Sequence, residues 1–124
     1  MTVQVGDIVM LGSGLRYCVL AFVNNASGTQ DAKLIRKNSD GTFTGFQKGA
    51  EFLIPAERPV FESGEEVRVD GLKGQYMSRE ADGDIARVML EPRRRLLSGG
   101  GFIQIEAGVA RASFALLVLE NRKV

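Results

Sequence analysis

The sequence predicts an all-β protein made of two copies of one small unit, and three observations carry that expectation. Short segments rich in Val, Ile, Leu, Phe and Tyr are separated by Gly, Asn, Asp and Ser at intervals of about 8 to 12 residues, the spacing of small sandwiches and barrels. Helical periodicity is nearly absent. The chain also aligns with itself at half its length, so 124 residues that would otherwise suggest one domain divide into repeats over residues 1–62 and 63–124.

The self-alignment opens with Val5-Gly6-Asp7-Ile8-Val9 against Ser63-Gly64-Glu65-Glu66-Val67, at an offset of 58 (64 − 6); each is a Gly-acid turn leading into a strand. Gly14-Leu15-Arg16 then meets Gly71-Leu72-Lys73. Ala32-Lys33-Leu34-Ile35 meets Ala86-Arg87-Val88-Met89 at 54 (86 − 32), so the second copy is shorter by four residues (58 − 54) in the hairpin Arg79-Glu80-Ala81-Asp82-Gly83-Asp84. Gly41-Thr42-Phe43 against Gly100-Gly101-Phe102, and Gly49 against Gly108, stand at 59, a regain of five (59 − 54) in the loop holding Arg93, Arg94 and Arg95. Val60-Phe61-Glu62 closes against Val118-Leu119-Glu120 at 58 (118 − 60). Loops absorb length changes cheaply and cores do not, so this pattern is that of a duplicated fold. Any two Gly-rich β sequences align loosely, but the return of the offset to 58 after a loss and a gain argues against chance.

The strands expected in the first copy are residues 7–11, 16–24, 32–37, 42–47 and 56–62, with Asn38-Ser39-Asp40-Gly41 as a turn whose Gly takes positive φ. The second copy repeats them at 66–69, 75–79, 85–91, 102–106 and 114–120. Alternation in Phe102-Ile103-Gln104-Ile105-Glu106 is partial, as in strands bent around a small barrel. Residues 92–101 are long for a hairpin connection and are expected to form a mobile loop.

Five short strands with a Gly-acid opening resemble the SH3-like small-barrel group, which includes KOW and Tudor modules. The residues that carry the resemblance are Val5-Gly6-Asp7-Ile8-Val9, Gly41, Gly49 and Leu53-Ile54-Pro55 in the first copy. In the second they are Gly64-Glu65-Glu66-Val67, Gly71, Gly100 and Gly108, with Ser113 in place of the Pro. The resemblance implies two tandem SH3-like β-barrels. KOW-type barrels often bind nucleic acid or polymerase-associated proteins, and a binding role here is what the resemblance implies in turn.

Composition sets the outer limits of function. With 44% hydrophobic and 25% charged residues the chain can bury a core. Its formal net charge of +1 leaves attraction to a polyanion to local patches. Cys18 stands alone and cannot form an intramolecular disulfide, and the amino terminus lacks the basic and apolar regions of a secretory signal, so a cytoplasmic setting is expected. The longest apolar run, residues 112–119, is far short of the roughly 20 needed to cross a bilayer, so no membrane partner is expected.

Catalytic chemistry is largely missing. The chain has no His, which removes the commonest general base and metal ligand and every Ser-His or Cys-His pairing. One Cys cannot build a structural zinc site. Glu80-Ala81-Asp82-Gly83-Asp84 lacks the alternating ligands and distant Glu of a calcium loop, and the Gly clusters lack the following Lys-Ser or Lys-Thr of a phosphate loop. Cys18, between Tyr17 and Val19, reads as a small core residue, and Glu65 and Glu66, adjacent in a strand, face opposite sides. A non-enzymatic binding module without metal or cofactor is therefore expected.

Basic residues at matched places supply the candidate surface. Lys33, Arg36 and Lys37 precede the turn of the first copy; Arg87, Arg93, Arg94 and Arg95 occupy the same region of the second. Packed side by side, these form a positive strip for a phosphate backbone, extended by Arg16 and Lys73, with Phe46 as the candidate stacking ring. The competing explanation is that such charges only solvate the surface. The rival function is a structural or assembly protein, such as a small phage or bacterial component, that docks onto a protein partner or forms a homodimer through strand edges. The apolar segment 114–119 is expected to pack the two copies together.

Overall fold

The computed structural model describes residues 2–124. The chain is all-β in class: the described residues form eleven strands, a 3-10 turn at Ala50–Phe52 and one short helix. In the first half β1 (Ile8–Met10), β2 (Arg16–Asn24), β3 (Gln30–Lys37), β4 (Phe43–Gly49) and β5 (Ile54–Glu57) form one antiparallel sheet in the order β4-β3-β2-β1-β5. Inward positions alternate along β3, where Ala32 and Leu34 join Val9, Tyr17, Val19 and Leu53 in a core of their own.

The second half contains β6 (Glu66–Val69), β7 (Leu72–Arg79), β8 (Ile85–Leu90), β9 (Arg93–Leu96), β10 (Phe102–Ile105), β11 (Gly108–Ser113) and α1 (Phe114–Asn121). Its four-stranded sheet runs β11-β8-β7-β6, the order of β4-β3-β2-β1. The register irregularity between Val19 and Ala21 on β2 has its counterpart between Tyr76 and Ser78 on β7, 57 residues on (76 − 19). Gly6 and Gly64 have φ of 88° and 89°, the left-handed region glycine enters without strain. Gly6 N–H donates to Val19 O at 2.8 Å and Gly64 N–H to Tyr76 O at 2.7 Å. The acid after each glycine is clasped by an arginine that also donates to a backbone carbonyl five residues before that acid. Arg58 joins Asp7 and Thr2 O; Arg122 joins Glu65 and Val60 O.

The halves part company at three places. Residues 114–120, expected as a strand, form α1. Ser113 caps it, its side chain accepting from Leu116 N–H at 3.4 Å, and Ala, Leu and Glu are good helix formers. A short apolar run satisfies a buried strand or a buried helix equally in pattern, and here a helix closes the second unit. Second, residues 92–101 are not one open loop: Arg93–Leu96 is strand and only 97–101 turn. β8 with β9 and β10 with β11 make one long hairpin whose pairing continues in register from Leu90↔Gly108 to Arg93↔Ile105 and Leu96↔Phe102. Pro92, which has no N–H, interrupts the ladder, and the neighbouring Glu91 N–H donates to Lys73 O at 3.1 Å. The strand expected at 102–106 therefore lies in the outer part of this hairpin, and β11 occupies the place that β4 has in the first half. Third, the strand expected at 56–62 lies earlier, as β5, and ends before Arg58 and Pro59, where pairing stops.

The larger core spans both halves. Ile8 and Cys18 pack with Phe61, Val67, Tyr76, Val88, Phe114, Leu117 and Val118, and Leu20 and Ile35 lie against them. Segment 114–119 does join the halves, as a helix lying on β2 and β6.

Candidate nucleic-acid interface

The basic residues singled out in the sequence fall on four separate surfaces. Lys33 and Phe46 flank a shallow depression of about 290 Å³ with Leu20, Ile35 and Gln47. Phe46 is 38% exposed and meets Tyr17 edge to face at 4.9 Å, so its ring is partly committed to packing. Arg36 and Lys37, at the end of β3, line a different cleft. Arg87 faces outward from the second sheet, directly opposite Arg111 on β11, and Arg111 is held by both oxygens of Glu80 at 2.8 and 3.1 Å. That bond keeps the Glu80 carboxyl below its ordinary range. Arg16 and Lys73, the expected extensions of the strip, are each paired with an acid, Glu57 at 3.3 Å and Glu66 at 3.4 Å.

Arg93, Arg94 and Arg95 lie on β9. With β10 this strand forms a two-stranded arm that pairs with no other sheet. Strand alternation sends Arg94, Leu96, Phe102 and Gln104 to one face and Arg93, Arg95, Ile103 and Ile105 to the other. Leu96 is 68% and Phe102 62% exposed, and the Arg94 guanidinium lies 5.9 Å from the Phe102 ring centre. No acidic residue occurs from Pro92 to Ile105, and none of the three arginines joins an ion pair among the described residues. A lone two-stranded hairpin is marginal in water, so an arm with bare apolar side chains and unneutralised cations suits contact with a partner.

Cys18 is fully buried, and desolvation, reinforced by the Asp7 carboxylate, pushes its thiol up to about 12. At neutral pH it is a protonated packing residue whose Sγ donates to Gly6 O at 3.5 Å. Sequence reasoning missed Arg122, whose guanidinium sits 4.1 Å from the Phe61 ring centre and 2.6 Å from Glu65. The self-alignment does not pair it with Arg58, because the chain reaches the two Gly-acid turns by different routes, through β5 and through α1. No protein-family model, curated protein or solved structure matches the chain.

Proposed function

We propose that the chain is a non-enzymatic module that binds nucleic acid, with the β9–β10 arm as the principal contact. The observation that carries this reading is the run Arg93-Arg94-Arg95 on an acid-free ribbon that pairs with no other sheet, with cations on both faces. A two-stranded ribbon fits the major groove, about 12 Å wide, and arginines on its two faces then reach phosphates on the two groove walls. Exposed Phe102 and Leu96 suit contact with sugar and base edges. We read the halves as two copies of an SH3-like barrel; the shared strand order, matched irregularities and the two arginine clasps support this, with α1 standing in for a fifth strand in the second copy.

The test is fluorescence anisotropy of a generic duplex and a generic single strand across a salt series. Affinity falls steeply with salt, and replacing Arg93, Arg94 and Arg95 together by Ala lowers the magnitude of the log-log slope by about 2 to 3, at roughly 0.9 per phosphate neutralised. Absence of binding at low salt, or an unchanged slope in the triple variant, overturns the reading. A second reading, docking onto a protein partner or a second copy, is favoured by the open strand edges and bare apolar side chains of the same arm. It predicts a defined complex or dimer by light scattering that Phe102→Ser disrupts.

A further inference from the structure

A cleft of about 380 Å³ lies where the two halves meet, away from the arm. The start of β2 supplies Arg16, the end of β3 supplies Arg36 and Lys37, and the segment after α1 supplies Arg122; Leu15 and Leu119 form apolar wall. No carboxylate side chain lines it. Two of its cations are committed to neighbours, Arg16 to Glu57 and Arg122 to Glu65. Arg36 lies 5.8 Å from the Tyr17 ring centre, and neither it nor Lys37 has an acidic partner among the described residues. No ion pair among the described residues engages the carboxylate of Val124, which also borders the cleft.

A second observation concerns the same wall. The Nε of Arg16 is shielded from solvent and has no hydrogen-bond partner. A buried donor left unmatched is costly, so Arg16 gains from any acceptor that reaches it. The C-terminal end of α1 opposes an anion here with about half a negative charge. With Arg16 and Arg122 offset by Glu57 and Glu65, the unpaired Arg36 and Lys37 still outweigh this half charge and the Val124 carboxylate together.

The geometry points to a phosphoryl-anion site in this cleft, with the phosphate held among Arg16, Arg36 and Lys37. Its size admits a phosphate together with the body of a small phosphomonoester against Leu15 and Leu119. Phosphate fits better than a carboxylate because its several oxygens satisfy three cationic side chains approaching from two chain segments at once. The phosphoryl group reaches the cleft either as a free small anion or as the 5′ end of a nucleic-acid strand. The site does not depend on the arm, so it stands or falls separately from the reading above.

Titration of inorganic phosphate against the intact chain, followed by amide NMR and calorimetry at constant ionic strength, tests it. Saturable shifts are expected at Gly14, Leu15 and Ser39, with affinity at least tenfold weaker in R36A/K37A and unchanged in the Arg93, Arg94, Arg95 triple variant. Should R36A/K37A fail to fold, Lys37→Ala, an exposed change, gives a smaller loss in the same direction. Comparing 5′-phosphorylated and 5′-hydroxyl strands separates the two sources. A 5′-phosphate gain abolished by R36A/K37A assigns a strand end, and saturable phosphate binding without that gain assigns a free anion. Shifts that sodium chloride reproduces at equal ionic strength, or phosphate binding indifferent to Arg36 and Lys37, overturn the assignment.

Discussion

Replacing Gly6 by Ala, beside the matched replacement of Gly64, measures how tightly the halves are joined. Each glycine is left-handed, at φ 88° and 89°, so an alanine at either costs about 1 to 2 kcal/mol in backbone conformation. Their surroundings differ. A Cβ at Gly6 meets Phe114 Cδ1 at 2.2 Å and Cε1 at 2.4 Å, whereas at Gly64 nothing lies within 4 Å. The Phe114 ring has little room to yield. It is 2% exposed, the Arg79 guanidinium sits 3.6 Å from its centre, and Phe61 meets it edge to face at 5.7 Å. Overpacking of this kind costs a further 1 to 3 kcal/mol or about that. Gly64→Ala is therefore expected to lose about 1 to 2 kcal/mol and Gly6→Ala about 2 to 5. Urea denaturation followed by circular dichroism gives both values, and thermal melts should separate the variants by several degrees, at about 4 °C per kcal/mol. Losses equal within about 0.5 kcal/mol would refute the packing of α1 against the first Gly-acid turn.

Three further expectations concern two titratable groups. A thiol reagent at pH 8 should leave Cys18 unmodified in the native protein and react fully once urea unfolds it; rapid native labelling contradicts its burial. Because burial raises this thiol from 9.0 to about 12, the folded state holds the proton more tightly. The associated stability is present below pH 9 and is lost between about 9 and 12, a loss that Cys18→Ala should lack. Glu65 is shifted the other way: the hydrogen bond from Arg122, then that from Glu62 N–H, lowers it from 4.5. Its contribution is present above pH 4.5 and disappears as pH falls through the lowered value. Solvent around this pair limits the effect to at most about 1 kcal/mol. Urea midpoints between pH 5 and pH 3 should fall further in the wild type than in Glu65→Gln, and parallel curves refute the clasp.

Much of the strand pattern was legible because short-range chemistry decides it. β2, β6 and β8 lie within a residue of their expected spans, and Gly6, Gly41, Gly64 and Gly100 all take the positive φ that their turns demand. The candidate surface was legible only as a set of residue types. Nothing local told that Lys33, Arg36, Arg87 and Arg93 would face four different ways, since strand alternation, sheet pairing and the break at Pro92 direct each side chain separately.

The β class, the turns and the repeated order of apolar segments could be read from the residues alone, because they follow from φ preferences and from period-two burial within a few residues. Tertiary structure alone decided that residues 114–121 coil into a helix, since their apolar run fits a strand or a helix until β2 and β6 offer the surface it covers. It likewise decided the junction cleft, where Arg16, Arg36 and Arg122 come together from three distant segments that no local preference relates.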